Sequence, residues 1–368
     1  MFKSKLHFWT LEILLLLIIV YVSTKISFVF EPIAVFASTL FFPIIITGFL
    51  YFLLNPALNL LEKAKIPRTL AIAILYILFI GLIALVIGLL APVISRQVTA
   101  LFNDLPMYVE QTRNLIDQLA DSRQFQWFMT QDYVPIENIE NAIINFANTL
   151  PDKLTNGISN VFGVLANITI TIVTVPFLLF YMFKDGKNFP QALVKFLPAS
   201  YRQEALNTLK DTNETLAAYI QGQVTVALFV GTIAFIGYLI IDLPYALVFA
   251  LIVAVTNIIP YVGPILGGAP AVVIALFDSP TKAILVVVVI AIAQQIEGNV
   301  LSPLILGKRL DTHPATIIIL LLVAGNLAGV LGMILAIPFY AVTKTIVLNT
   351  IRFLRARKMY LENDKIST

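Results

Sequence analysis

The chain has 368 residues, of which 59% are hydrophobic and only 12% are charged, and its mean hydropathy is +0.91. Soluble domains carry about 25% charged residues, so most of this chain is predicted to lie in a lipid bilayer. The net charge is only +3 and no basic stripe with interleaved aromatic residues occurs, which excludes a nucleic-acid partner. Without cysteine, and with His7 and His313 as the only histidines, the sequence predicts no disulfide and no metal site.

The N-terminal segment is predicted to be the first membrane helix. Lys3 and Lys5 precede an apolar stretch from Ile13 to Val22. A signal peptide is the alternative interpretation of this pattern. No small-residue cleavage site follows and a second apolar stretch comes soon afterwards, which favours an uncleaved helix.

Seven further apolar stretches follow, and a membrane span needs roughly 20 apolar residues. They cover residues 32–61, 69–95, 154–183, 215–241, 243–277, 282–300 and 312–343. Together with the first segment they predict an all-α polytopic membrane helix bundle of about eight spans.

The 243–277 stretch differs from the others because it is too long for one span and too short for two. Pro260, Gly263 and Pro264 lie in its middle. Backbone that is not helical survives at membrane depth only where protein or a wet cavity covers it. We therefore predict a broken helix or a re-entrant loop near residues 256–270.

The distribution of Lys and Arg predicts the topology, because positively charged loops stay in the cytoplasm. Basic residues concentrate in the connection after the second segment, in residues 184–214 and in the tail 352–368. Both termini are therefore predicted to be cytoplasmic. Lys308 and Arg309 would then lie outside, a violation that would vanish if 282–300 were re-entrant.

The predicted organisation alternates membrane helices with two polar regions. It comprises membrane helices one to three (1–95), an extracellular acidic helical cap (96–153), membrane helix four (154–183), a cytoplasmic amphipathic connection (184–214), membrane helices five to eight with the transport core (215–351) and a basic cytoplasmic tail (352–368). The cap has four basic and eight acidic residues, a net charge of −4. Within it, the spacing of Ile136, Ile139, Ile143, Phe146 and Leu150 predicts an apolar helix face.

Glu297 is the leading candidate for a functional residue. If its helix enters the hydrocarbon near Leu285, the carboxylate lies about 18 Å deep in a core of roughly 30 Å. The nearest basic residues in the sequence are Lys282 and Lys308, so no local ion pair holds it charged. Carboxylates at such depth mark ion or substrate paths. We predict a proton carrier or cation ligand; the alternative is a structural carboxylate that accepts hydrogen bonds at a broken helix.

Amide side chains surround Glu297 in the sequence. Gln295 and Asn299 share one helix face at spacing four, and Gln294 shares another with Glu297 at spacing three. Such a cluster can replace the water shell of a polar solute, or it can form hydrogen bonds between helices. The predicted substrate or ion pathway comprises Asn257, Pro260, Gly263, Pro264, Gly267, Gly268, Gln294, Gln295, Glu297, Asn299 and Pro303.

Two further roles are predicted for residues near the last apolar segment. Asp311 and His313 read first as a cap for the final helix; with Glu297 they are also the candidates for a proton relay. Small residues favour close approach of membrane helices. Helix packing is predicted at Gly325, Gly329 and Gly332.

Catalytic chemistry finds no support in the sequence. No nucleophile, base and orienting group occur at usable spacing, and motifs for intramembrane proteolysis, phosphate-binding loops and metal clusters are absent. The chain is therefore predicted not to be an enzyme and to need no cofactor.

An ordered set of short motifs runs along nearly the whole chain. It comprises Pro176–Tyr181 with Lys184-Asp185-Gly186, Tyr219–Gln223, Asn257–Pro264, Glu297-Gly298-Asn299 through Pro303 and Gly307 to His313-Pro314, the glycines Gly325, Gly329 and Gly332, and Ala336-Ile337-Pro338. In this set the chain resembles the autoinducer-2 exporter family of PerM-like permeases. The resemblance implies a bacterial cell-membrane protein that exports small signalling molecules or exchanges monovalent cations for protons, and that forms a homo-oligomer, with a pentamer as the expected number.

Two functions from different classes remain compatible with the sequence. The first is a secondary transporter, embedded in lipid, in which the proton gradient drives export of a small polar solute or a cation. The second is a membrane organiser that does not transport and binds partners through its cap. The predicted buried cluster at Glu297 favours the transporter, because an organiser has no need of it.

Overall fold

The computed structural model describes residues 5–120, 149, 169–306 and 312–366. Nearly all of these residues are helical, and none of them forms a strand. The predicted all-α class is therefore confirmed. Most of the predicted cap, including its apolar face, lies outside the described residues, as does Asp311.

The helices follow one another with short connections. They are α1 (Lys5–Lys25), α2 (Ser27–Lys63), α3 (Arg68–Ala120), α4 (Thr169–Asp185), α5 (Phe189–Val194), α6 (Ala199–Ile240), α7 (Ala246–Thr256), α8 (Val262–Asp278), α9 (Pro280–Ile296), the π-helix Glu297–Leu306 and α10 (Pro314–Ile366). The connection predicted to be amphipathic runs without interruption into the next apolar segment, because α6 is one helix of 42 residues.

Five of the described helices are long and apolar enough to cross a membrane. They span Glu31–Lys63, Arg68–Leu101, Tyr201–Ile240, Pro280–Ile305 and Pro314–Phe353. Large apolar side chains lie exposed along α1, α2 and α3. Such continuous apolar surface is expected where lipid rather than water surrounds the protein. The chain is thus a polytopic helical membrane protein, as predicted.

The predicted break near 256–270 is present between α7 and α8. Tyr261 has φ 63 and ψ −45, and the Val262 N–H donates to the Pro260 carbonyl at 2.7 Å. These features define a γ-turn with positive φ, which is rare and strained for a residue with a side chain. The chain therefore turns sharply here instead of continuing as a helix.

The turn folds α8 back along α7, and we call residues 246–278 the first hairpin. A Cβ atom on Gly263 would lie 2.7 Å from the Asn257 Cα, and one on Gly267 would lie 2.7 Å from the Val253 Cα. The two helices therefore approach to backbone contact, which is the role predicted for small residues. At the open end, the Lys282 ammonium donates to the Asp242 carbonyl at 3.0 Å.

A second break, which the sequence did not predict, interrupts α10. The segment 312–343 was expected to be one uninterrupted span, but Ala328 (φ −141, ψ 21) and Gly329 (φ 60, ψ −146) are not helical. Only glycine adopts such a combination readily. Gly329 therefore ends one helical leg and starts another; a Cβ atom placed on it would meet open space instead of a neighbouring helix.

The two legs of α10 also lie side by side, and we call residues 312–344 the second hairpin. A Cβ atom on Gly325 would lie 3.2 Å from the Met333 Cγ, and one on Gly332 would touch Ala324. The Lys344 ammonium donates to the Thr312 hydroxyl at 3.4 Å. Gly325 and Gly332 thus allow close packing within this hairpin.

The largest buried cluster joins α6 to the first hairpin and α9. Its members include Val230, Tyr238, Phe249, Ile274 and Val286. A second buried cluster joins the two hairpins. It contains Ile259 at the first turn with Leu321 and Ala336 from the two legs of the second hairpin.

Two connections that were predicted to be cytoplasmic meet at one end of the bundle. Arg68, at the start of α3, donates from Nη1 to Glu62 at 2.6 Å and from Nε to the Phe183 carbonyl at 2.7 Å. Lys187, after α4, donates to the same carboxylate at 3.0 Å. These bonds satisfy a carbonyl in the last turn of α4 and fix its end against α2 and α3.

Gln221 on α6 compensates for a proline in α2. Pro56 lies inside α2 and has no N–H, so the Phe52 carbonyl one turn earlier loses its helical partner. The Gln221 Nε2 donates to that carbonyl at 2.7 Å. A polar side chain in an apolar helix here satisfies a backbone group of its neighbour.

We expect Gln221→Leu to lower the free energy of unfolding by about 1–3 kcal/mol, because a carbonyl shielded from water loses its donor. The measurement is chemical denaturation of the purified protein in detergent. Pro56→Ala restores an N–H to α2, so Gln221→Leu should destabilise the Pro56→Ala background less. Equal losses in both backgrounds would contradict this role for Gln221.

Candidate functional site

Glu297 lies at the junction where α9 becomes a π-helix. This π-helix, Glu297–Leu306, is 10 residues long, and π-helical turns are rare and frequently occur at functional sites. Only 7% of the Glu297 surface is exposed. The Gln294 Nε2 donates to its Oε2 at 2.8 Å, so the pair predicted from spacing three is confirmed.

Asn257 is the neighbour of Glu297 on the first hairpin. It ends α7, its surface is fully buried, and its side-chain amide lies beside the Glu297 carboxyl group. Among the described residues, neither Nδ2 nor Oδ1 of Asn257 finds a hydrogen-bond partner. Buried polar atoms are almost always paired, and leaving one unpaired costs about 1–3 kcal/mol. An unpaired donor and acceptor beside a buried carboxyl group indicate a place for a polar ligand.

Gln223 holds the turn that carries Asn257. In a continuous helix the Asn257 carbonyl would accept from residue 261, but the break removes that donor. The Gln223 Nε2 donates to this carbonyl at 2.7 Å, and only 4% of Gln223 is exposed. Gln223 was not among the predicted site residues. Its signal in the sequence is an amide two positions from Gln221 in an otherwise apolar helix.

The remaining predicted amides lie elsewhere. The Asn299 Nδ2 donates to the Gln295 Oε1 at 2.7 Å, as spacing four predicted, but both residues are exposed. They occupy a different face from the buried Glu297. Pro303 is exposed within the π-helix. The structure therefore brings Gln294, Glu297 and Asn257 together and leaves Gln295, Asn299 and Pro303 apart from them.

The small residues and prolines of the first hairpin shape the site without offering it polar side chains. Gly263, Pro264, Gly267 and Gly268 are buried between helices, and Pro260 is half-buried in the turn. Gly268 lies against Ile290 of α9. Their absence of bulk lets the turn at Asn257 approach α9 closely enough to reach Glu297.

His313 is exposed and precedes the first residue of α10. Its Nδ1 accepts from the Ala315 N–H at 3.2 Å, which is the geometry of an N-terminal cap. The capping role predicted for His313 is thus confirmed. In the part of the chain that the structure describes, no three His, Asp or Glu residues group closely enough to hold a metal ion.

A separate polar cavity of about 260 Å³ lies between the first turns of α6 and the second half of α10. It is lined by Asp211, Glu214, Thr215, Thr345, Leu348, Asn349 and Arg352. The buried Asn349 donates from Nδ2 to the Asp211 carboxylate at 2.9 Å. Along α6, Asp211 precedes Gln223 by about 18 Å, so this cavity and the Glu297 site are distinct.

Comparison with known proteins agrees with this architecture. Residues 13–352 match the family described as "AI-2E family transporter". "Putative transport protein YueF" of Bacillus subtilis (strain 168) is 56% identical over 367 residues, which are 99% of this chain and 99% of that protein. "Putative transport protein YrrI" of the same organism is 36% identical over 353 residues, 96% and 98% of the two chains.

A more distant relative carries a name that specifies a solute. "AI-2 transport protein TqsA" of Escherichia coli (strain K12) is 23% identical over 311 residues, which are 84% of this chain and 86% of that protein. The family match covers nearly the whole sequence, and the structure is the polytopic helical bundle that the resemblance implied. The chain is therefore an integral membrane protein that belongs to the AI-2E transporter family.

Proposed function

We propose that this protein is a proton-coupled secondary transporter that exports a small polar solute, with Glu297 as the proton carrier. The observation that carries the proposal is the buried pair of Glu297 and Asn257. A carboxyl group at membrane depth is costly and is retained where a function needs it. The unpaired amide of Asn257 beside it supplies one donor and one acceptor for a solute.

The coupling follows from the chemistry of a carboxyl group that water reaches intermittently. When the site is closed, Glu297 is shielded from water and Gln294 is its hydrogen-bonding neighbour. When the site opens to one compartment, water can exchange a proton with the carboxyl group. A solute held by Asn257 and a proton held by Glu297 then compete for, or share, one closed cavity.

The solute class follows from the amide of Asn257. An unpaired Nδ2 and an unpaired Oδ1 together match a hydroxyl group, which both donates and accepts. A small hydroxylated signalling molecule, such as an autoinducer-2-like solute, is therefore the first candidate. The name of the relative TqsA is consistent with this choice.

Monovalent cation/proton exchange is the second candidate function. It is favoured by the two kinds of hard oxygen ligand at the site, the Glu297 carboxylate and the Asn257 Oδ1, which suit an alkali cation. The Asn257 Nδ2 argues against it, because an amide donor beside the site repels a cation. Competition between sodium and the solute for transport would distinguish the two.

The proposed cellular setting is the bacterial cell membrane, with both termini in the cytoplasm and lipid around the bundle. The Lys and Arg distribution supports this orientation. We further propose a homo-oligomer, for which a pentamer is the expected number. Exposed apolar side chains along α10, such as Leu327 and Phe339, supply surface for either lipid or a second copy.

The proposed function can be tested with purified protein in liposomes that contain a pH-sensitive dye. Adding the transported solute to one side should move protons across the membrane, and an imposed pH gradient should drive the solute uphill. A proton ionophore should abolish the uphill movement. If no hydroxylated solute and no monovalent cation moves protons, proton coupling is wrong and the role of a membrane organiser gains support.

A further inference from the structure

The second hairpin changes how often the chain crosses the membrane. Each leg contains about 15 residues, or about 22 Å of helix, which is shorter than a hydrocarbon core of roughly 30 Å. Contact between Thr312 and Lys344 brings the two ends of this hairpin together. A segment that returns to its starting point enters and leaves the membrane on one side.

The first hairpin behaves in the same way. Its helices have 11 and 17 residues, and contact between Asp242 and Lys282 closes its open end. Between the two open ends lies one continuous crossing, α9 with its π-helix. One crossing places the ends that it connects on opposite sides of the membrane.

We propose that the two hairpins are re-entrant and enter the membrane from opposite sides, the first from outside and the second from the cytoplasm. Six crossings then remain, counted as α1, α2, the α3 span, the fourth segment, α6 and α9 with its π-helix. Both termini still lie on one side.

The distribution of charge supports this assignment. With 312–343 as a single crossing, Lys308 and Arg309 would be the one basic pair outside. With a re-entrant second hairpin they lie on the same side as Lys344 and the basic tail, and every cluster of basic residues becomes cytoplasmic. The violation disappears although α9 and its π-helix remain a full crossing.

The turns of both hairpins have a physical reason to meet inside the protein. Residues 257–261 and 328–329 have backbone that is not helical, and lipid cannot satisfy such backbone. Ile259 at the first turn packs in one cluster with Leu321 and Ala336 of the second hairpin. The hairpins thus cover each other near the depth of Glu297.

This placement deepens the proposed function by giving each side of the membrane its own barrier. Water or solute from outside reaches Glu297 past the first hairpin, which carries Asn257. Water or solute from the cytoplasm reaches it past the second hairpin. Only this assignment of barriers rests on the proposed transport function; the opposite orientation of the hairpins does not.

Cysteine labelling tests the orientation without any transport assay, because the chain has no cysteine of its own. Asp242→Cys, His313→Cys and Lys358→Cys are prepared singly and exposed to an impermeant maleimide on intact cells and on inside-out vesicles. We expect Asp242→Cys to react on cells, and the other two to react only on vesicles. Reaction of His313→Cys and Lys358→Cys from opposite sides would overturn the proposal.

A cross-link provides a second measurement that does not depend on accessibility. The pair Thr312→Cys and Lys344→Cys should be joined by a short bifunctional thiol reagent, because the two side chains are in contact. In a straight helix they would lie about 48 Å apart. The control pair Leu70→Cys and Asn103→Cys has almost the same separation within the unbroken α3 and should not be joined.

Each outcome of the cross-link bears on the proposal. Joining of the first pair within one chain supports the hairpin, and failure to join it, in protein that migrates as folded, overturns it. If the hairpins are confirmed while no proton movement is detected in liposomes, the proposed function fails and the topology stands. If proton movement is detected while the hairpins fail, the reverse holds.

Discussion

Glu297→Gln is expected to abolish transport driven by a pH gradient and to leave the protein folded and assembled. Glutamine keeps the shape of the side chain and can still accept a hydrogen bond from Gln294, but it cannot bind and release a proton. Exchange of solute down its own gradient should persist, because Asn257 is unchanged. The measurement is solute flux in liposomes at equal pH and with an imposed gradient.

Two variants make this result specific. Glu31→Gln removes an exposed carboxylate of α2 and should leave the pH dependence of flux as in the wild type. Glu297→Asp retains a titrating group, shortened by one methylene, and should retain part of the gradient-driven flux. Unchanged flux with unchanged pH dependence in Glu297→Gln would reduce Glu297 to a structural role at the start of the π-helix.

The first hairpin was predictable because its sequence carries strong local signals. Pro260 and Gly263 cannot continue an ordinary helix through such a long apolar stretch, and the break appears where they lie. The second hairpin was not predictable in this way. Gly329 follows Ala328 in a run without proline, and a glycine among apolar residues indicates close packing as readily as a break. Its positive φ is visible only in the fold.

The same distinction applies to the candidate site. Glu297 stands out because it is the one carboxylate in the 282–300 stretch, and Gln294 follows from helical spacing. Gln223 does not, because its partner Asn257 lies 34 residues away and the bond depends on how α6 packs against the first hairpin. Spacing also placed Gln295 and Asn299 in the pathway, although they share an exposed face. Periodicity identifies pairs on one helix but not which face is buried.

Gly263→Ala is expected to disrupt the first hairpin and, with it, the site. The added Cβ would lie 2.5 Å from the Thr256 carbonyl carbon and 2.7 Å from the Asn257 Cα. Both are backbone atoms at the end of α7, so no side-chain rotation can relieve the overlap. Overpacking of this kind costs about 1–3 kcal/mol, and any relief by movement of α8 displaces Asn257 from Glu297.

The matched control is Gly81→Ala on α3, where an added Cβ meets no atom within 4 Å. Alanine is the better helix former by about 1 kcal/mol, so this variant should be as stable as the wild type or more so. Thermal unfolding followed by size-exclusion chromatography in detergent compares the three proteins, and flux in liposomes follows for those that remain folded. Because the overlap involves Asn257 itself, a Gly263→Ala protein with wild-type unfolding temperature and full flux would show that close contact of α7 and α8 is not what positions the Asn257–Glu297 pair.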